Sequence, residues 1–331
     1  MEEQPLKPIT VLGAGAWGTA LALHLAREGQ TVWIWSIEVS EIAAMLAERA
    51  NNQFLPGFPF PESLKPTANL AEAVNAVDDI LIAVPSVGFR DTLNMLKPLL
   101  EQNARIICAT KGLDADSGQL LSEMVEELFG QSHSFAVLSG PSFAREVAEG
   151  KPCAVSIASR DQSLLNDLYQ RFDRPHFRIQ LNHDVIGTEL GGVVKNVIAI
   201  AAGIADGMSL GANARSALIT QGLQEMIRLG LALGARLETF TGLSGIGDLM
   251  LTCGDDQSRN RRFGLALGKG QSFNDAAKAV GKLVEGKRNA ELVVMLAKQH
   301  HVKMPVCEAV WALLQNKIST KEAMEQCFSG F

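Results

Sequence analysis

"ITVLGAGAWGTALALHLAREG", residues 9–29, opens as a short apolar, β-branched run and closes as an Ala/Leu-rich helical pattern. Between the two stands Gly13-Ala14-Gly15-Ala16-Trp17-Gly18, a GxGxxG turn. The three glycines answer different needs. Gly13 admits the tight turn, Gly15 lets a pyrophosphate come close to the backbone, and Gly18 lets helix pack closely on strand. A phosphate held there sits at the positive end of the helix that follows. Glycine-rich turns are common, and what points this one to a dinucleotide is its place between a strand and a helix.

The next strand is "TVWIW", 31–35, after which the dinucleotide fingerprint calls for an Asp or Glu on the ribose hydroxyls. The chain offers Ser36 and Ile37 there, with Glu38 slightly late and no arginine to grip a 2′-phosphate, so the choice between NAD and NADP stays open. Further strands are expected at 78–85, 104–110, 135–140, 153–159 and 177–181, with helical patterns between most of them. That alternation predicts an α/β, Rossmann-type, doubly wound and mostly parallel sheet covered by helices on both faces. Ligands of such sheets lie beyond the C-terminal strand ends. The residues there are Pro85-Ser86, Lys111-Gly112 and Gly140-Pro141-Ser142-Phe143-Ala144. A loop lysine or a Pro-containing turn is ordinarily just solvated. These stretches gain weight by converging on the edge that carries the glycine loop.

From about residue 188 the strand signal stops and helical patterns run almost to the end. A dinucleotide-binding domain over 1–187 and an all-α substrate-binding and catalytic domain over 188–331 are expected. The helical half holds "GGVVKNVIAIAAGIADG", 191–207, an apolar helix with Lys195 and Asn196 near its start. Gly191, Gly192, Ala199 and Ala202 share the lysine's face, which predicts open space above it. A lysine in a partly desolvated cleft has a lowered pKa and can exchange a proton. The alternative is a side chain that snorkels to water. A second stretch, "GLSGIGDLMLTCGDDQSRNRRFG", 242–264, joins a glycine-rich loop holding Asp248 to Ser258-Arg259-Asn260-Arg261-Arg262. Charge runs are usually solvated faces, but this mix of guanidinium, hydroxyl and amide donors suits a phosphate monoester.

Composition narrows the classes. The 331 residues are 47% hydrophobic and 20% charged, enough for two ordinary globular domains. A net charge of −6 argues against nucleic acid as the main partner. Five scattered cysteines without a CxxC pair fit reduced thiols in the cytoplasm. The polar start, MEEQPLKP, lacks the pattern of a secretory signal, and the uncharged run 197–205 is too short for a membrane span. Neither HExxH nor Cys/His ligand spacing occurs, so no metal is expected, and GxSxG is absent.

Taken together, seven stretches resemble the bacterial NAD(P)-dependent sn-glycerol-3-phosphate dehydrogenase family. They are "GAGAWGTALA" (13–22), "ATKGL" (109–113), "GPSFA" (140–144), "GTELGGVVKNVIAIAAGI" (187–204), "GIGDLMLTC" (245–253), "SRNRRFG" (258–264) and "VEG" (284–286). The resemblance implies interconversion of glycerol 3-phosphate and dihydroxyacetone phosphate with NAD or NADP, supplying glycerol 3-phosphate for phospholipids. By match to the family motifs, Lys195 is the expected general acid/base. Lys111, Gly140, Ser142, Asp248, Ser258, Arg259 and Asn260 are the expected substrate-binding residues. Gly13, Gly15, Ala16, Trp17, Gly18, Lys111, Ala144, Arg259, Leu283 and Glu285 are the expected cofactor contacts. Three positions depart from the pattern: Ile37 stands where many members are basic, and Ala212 and Gln221 replace an Asp and an Arg. The partners expected are the small-molecule substrate and a second copy of the chain. Two other readings fit parts of the sequence: a related two-domain hydroxy-acid dehydrogenase whose arginines hold a carboxylate, and a non-catalytic redox-sensing protein. The second gives no reason for Lys195 or the arginines.

Overall fold

Runs of Ile, Val, Leu and Trp only four residues long cannot stand alone, and here they line up edge to edge. In the computed structural model, which describes residues 7–75, 77–101, 103–131, 133–281 and 285–329, one sheet holds eight strands. They are β1 (Ile9–Leu12), β2 (Val32–Trp35), β3 (Leu64–Thr67), β4 (Asp79–Ile82), β5 (Arg105–Cys108), β6 (Phe135–Ser139), β7 (Cys153–Ser159) and β8 (Phe177–Asn182). Their order is β3-β2-β1-β4-β5-β6-β7-β8. Parallel pairing joins β1 to both β2 and β4, with Leu12 opposite Trp35 and Ile82. The pairs β2–β3, β4–β5, β5–β6 and β7–β8 are parallel as well. The order reverses between β1 and β4, where sheets of this type bind ligands. Sequence patterning does not reveal β3. Pro66 lacks an N–H donor and Lys65 is exposed, a composition tolerated at a sheet edge, where β3 stands.

Alternate strand residues face opposite ways and are covered on both sides. Val11, Leu81 and Ile107 join one buried cluster, while Leu12, Ile82 and Cys108 join another. The covering helices are α1 (Ala16–Arg27), α2 (Val39–Glu48), α3 (Leu70–Val74), α4 (Phe89–Leu96), α5 (Leu121–Phe129), α6 (Ala144–Ala148) and α7 (Gln162–Phe172).

The remainder is helical: α8 (Val185–Gly207), α9 (Ala212–Ala232), α10 (Leu237–Phe240), α11 (Asp248–Gly254), α12 (Arg259–Gly268), α13 (Phe273–Val280), α14 (Glu285–Gln299), α15 (Pro305–Leu314) and α16 (Thr320–Phe328). A π-helical turn, Leu243–Gly247, runs straight into α11. By length and composition α8 is apolar enough to cross a membrane, but 94% of its most apolar window is buried in the protein, as suits a core helix. Its close neighbour is α12. A Cβ on Gly203 would lie 2.1 Å from the Arg261 carbonyl oxygen, and one on Gly264 would lie 2.1 Å from that of Ile200. The two helices therefore touch backbone to backbone.

The chain forms two compact units, and the division is not a single cut. One unit comprises Met1–Thr110, Leu121–Leu138 and Ser142–Val185. The other comprises Lys111–Leu120, Ser139–Pro141 and Ile186–Phe331, so the segments carrying Lys111 and Gly140 group with the helices.

Candidate active site

In the sheet unit, the glycine loop has the form that a dinucleotide needs. Gly13 has φ +108°, and a Cβ there would lie 2.8 Å from the backbone of Ala83 and Val84. A Cβ on Gly18 would meet the Gly13 carbonyl oxygen at 1.9 Å. Gly15 is different: nothing lies within 4 Å of an added Cβ, and it caps α1 without any side-chain hydrogen bond. The helix starts with no acidic residue in its first turn, leaving its N–H groups and positive end available to phosphate. The buried indole Nε1 of Trp17 has no acceptor among the described residues. These features fit a dinucleotide phosphate, with Gly13, Gly15, Ala16, Trp17 and Gly18 around it. Ser142 and Ala144 follow β6 in the same unit, Ala144 as the first residue of α6.

In the helical unit, one carboxylate gathers two lysines. Asp248 is 1% exposed; its Oδ1 accepts from Lys195 Nζ at 2.5 Å and its Oδ2 from Lys111 Nζ at 2.8 Å. Lys111 also donates to the Gly140 carbonyl oxygen at 3.2 Å. The site thus carries two ammonium groups against one carboxylate, a surplus of positive charge suited to an anionic substrate or a developing alkoxide. Burial lowers the pKa of Lys195 to about 8, helped by the like charge of Lys111 and opposed by Asp248. Burial pushes the Asp248 carboxyl up, but the two lysines outweigh it and hold it below its ordinary value.

The sequence predicts empty space over Lys195, and the structure corrects this. A Cβ on Gly191 would lie 2.0 Å from the Ser244 carbonyl oxygen, so that glycine is covered by backbone. A Cβ on Gly192 would lie 3.1 Å from Ser139 Oγ and 3.3 Å from Lys111 Cγ. The small residues admit the π-helical turn and the stem of the second lysine, the groups that fix Asp248 beside Lys195. Val194, Val197, Ile198, Ala201 and Ile204 are all fully buried and hold the helix from its other sides.

A polar chain continues from the next residue. Asn260 Nδ2 donates to Asn196 Oδ1 at 2.9 Å, Asn196 Nδ2 donates to the Gly192 carbonyl at 3.3 Å, and Gly286 N donates to Asn260 Oδ1 at 3.0 Å. Ser258 caps α12, its hydroxyl accepting from Arg261 N at 3.2 Å. The arginines beside it divide. Arg261 is buried and pairs with Asp206 and Asp256, whereas Arg259 is exposed and has no ion-pair partner among the described residues. Lys111, Gly140, Asp248 and Lys195 are therefore joined directly, Asn260 through Asn196, and Ser258 and Arg259 lie at the start of the same helix as Asn260. Leu283 lies outside the described residues, as does the side chain of Glu285.

Three polar residues are not picked out as site members by the sequence. Asn196 is legible as the neighbour of Lys195. Thr252 stands one helical turn beyond Asp248 and donates from Oγ1 to its carbonyl oxygen at 2.6 Å. Ser139 Oγ is buried with no hydrogen-bond partner among the described residues and precedes Gly140, which the sequence does single out.

The chain is similar to known proteins over nearly its whole length. The family models described as NAD-dependent glycerol-3-phosphate dehydrogenase N-terminus and C-terminus match residues 8–165 and 184–325. A glycerol-3-phosphate dehydrogenase [NAD(P)+] of Idiomarina loihiensis is 53% identical over 308 residues, 92% of each chain. That of Colwellia psychrerythraea is 51% identical over 322 residues, covering 97% of this chain and 96% of its own. Among solved structures, the glycerol-3-phosphate dehydrogenase of Coxiella burnetii matches with TM-score 0.95 and 48% identity, covering 97% of this chain and 98% of its own. A D-mandelate dehydrogenase matches with TM-score 0.65 at 14% identity over 96% of this chain and 99% of its own, a likeness of fold alone.

Proposed function

The chain belongs to the NAD-dependent glycerol-3-phosphate dehydrogenase family, and from that premise we propose that Lys195 is its proton-transfer group. The enzyme interconverts sn-glycerol 3-phosphate and dihydroxyacetone phosphate with NAD(P). The observation that carries the role of Lys195 is its buried ammonium group, held on a carboxylate shared with Lys111. In the reducing direction the ammonium gives a proton to the C2 oxygen, and in the oxidising direction the free amine takes it back. The nicotinamide, when bound, supplies or accepts the hydride. Asp248 keeps both lysine heads in place, and the charge of Lys111 favours the negative character that builds on oxygen.

For the substrate phosphate we propose the start of α12. No acidic residue stands in its first turn, Arg259 is exposed there, and Ser258 and Asn260 flank it. Gly140 and Ser142 complete the proposed substrate set, and Lys111, Ala144, Arg259, Leu283 and Glu285 are proposed to join the glycine loop in holding the cofactor. We propose a cofactor domain over 1–187 and a substrate and catalytic domain over 188–331, with the segments of Lys111 and Gly140 grouping with the latter. We place the enzyme in the cytoplasm, supplying glycerol 3-phosphate for phospholipids; its five cysteines, none of them in a disulfide, support that location. A homodimer joined through the helical unit is proposed, supported by half-exposed Leu231 and Leu237 on its surface. A mass near that of one chain in light scattering would refute it.

Lys195→Ala is expected to cut turnover by about a hundredfold to ten-thousandfold while leaving the dissociation constant for NADH or NADPH nearly unchanged. Turnover equal to wild type would end the proton-transfer role. Arg259→Ala is expected to raise the KM for dihydroxyacetone phosphate. Equal use of unphosphorylated dihydroxyacetone by the wild type would contradict the phosphate site.

A further inference from the structure

The end of β2 carries an arrangement that the dinucleotide fingerprint does not describe. Gly13 N donates to the Trp35 carbonyl oxygen at 2.9 Å, so the residue after Trp35 lies beside the glycine loop. That residue is Ser36, where dinucleotide folds place the acid that accepts from the adenosine ribose. Ser36 is buried, and its hydroxyl is committed: Oγ donates its only proton to Glu41 Oε2 at 2.9 Å and accepts from Glu38 N at 3.2 Å. Glu41, in the first turn of α2, also accepts through Oε1 from Gln53 Nε2 at 3.4 Å. The loop bearing Gln53 is tied to the glycine loop by Asn51, which donates to the Ala14 carbonyl at 2.7 Å.

We propose that Glu41, brought to the strand end by Ser36, takes the place of the missing fingerprint acid and makes this chain prefer NAD(H) to NADP(H). A ribose 2′-hydroxyl can donate to a carboxylate, whereas a 2′-phosphate offers only acceptors and brings negative charge against Glu41. The proton of Ser36 is already spent. The exposed side chain of Ile37 offers no donor, and exposed Glu38 adds further negative charge. Of the arginines on either side in sequence, Arg27 donates to the Ala148 carbonyl and Arg49 points its guanidinium at the carbonyls of Leu64, Phe60 and Pro61. Lys65 lies over the Trp33 ring. The proposal rests on the glycine loop as cofactor cradle and is independent of Lys195.

Binding to the full-length protein tests it without turnover. NADH and NADPH are titrated by fluorescence, and ADP and 2′,5′-ADP compete against bound NADH to isolate the adenosine end. The wild type is expected to bind NADH at least about tenfold more tightly than NADPH, and ADP more tightly than 2′,5′-ADP. Glu41→Gln, which keeps the shape and removes the charge, is expected to narrow both ratios by about threefold or more, chiefly by improving the phosphorylated ligands. Wild-type protein that binds NADPH as tightly as NADH overturns the proposal whether or not the variant folds. So does a folded Glu41→Gln protein with unchanged ratios. Failure of the Lys195 reading would appear in turnover alone and leave these ratios untouched.

Discussion

Lys195 holds a charge where burial disfavours it, and its neighbours decide how strongly. With its pKa near 8, the proton-transfer role proposed for Lys195 implies that reduction of dihydroxyacetone phosphate should slow as pH rises through about 8. Oxidation of glycerol 3-phosphate should speed up over the same range. Asp248 raises the pKa of Lys195, so Asp248→Asn should shift this alkaline limb to lower pH as well as lower kcat. An alkaline limb that stays in place in the variant would show that another group governs it. Asp248 is legible in the sequence as a polar residue in a glycine-rich loop. Its bond to Lys195 is not, because the two are 53 positions apart and no local pattern encodes that distance.

At the scale of elements, contact between backbones matters more than side-chain bulk. Gly191 is where α8 meets the π-helical turn that leads into Asp248. Gly191→Ala would set a methyl group 2.0 Å from the Ser244 carbonyl oxygen. The forced shift should cost about 1–3 kcal/mol, seen as a lower Tm, and should lower kcat by moving Asp248 away from Lys195. Gly15→Ala makes a control at an open position, where the thermal cost should be smaller and the loss should fall on cofactor affinity. A Gly191→Ala protein with wild-type Tm and turnover would show that the turn is free to yield. The glycines of α8 are legible in the sequence, but periodicity alone makes them a cleared space because it cannot show what comes down upon them.

For the whole molecule, one buried acid links stability to pH. Glu225 on α9 is fully buried, and its carboxylate accepts from Val306 N at 2.7 Å and Cys307 N at 3.1 Å at the start of α15. Burial raises its pKa to about 7 from the ordinary 4.5, against the opposing pull of those N–H groups. A folded-state pKa above the unfolded one gives stability that is full at low pH and is lost as pH rises from about 4.5 through about 7. Glu225→Gln should therefore flatten the fall in Tm between mildly acidic and mildly alkaline buffer. An unchanged slope would mean that other groups set it. The strand-glycine-helix unit, the run of parallel strands, the helical second half and the two stretches around Lys195 and Asp248 can all be read along the chain. Those features depend on neighbours a few residues apart, where periodicity and turn chemistry act. β3 cannot be read in this way, because an edge strand tolerates the proline and lysine that disguise it. Long-range packing is what brings Lys111 and Lys195 to the one buried carboxylate of Asp248, commits Arg261 to Asp206 while Arg259 has no ion-pair partner among the described residues, and carries Glu41 to the end of β2 through Ser36. The reason is physical: a side chain's charge state and free valences are set by what long-range packing leaves within about 3 Å of it.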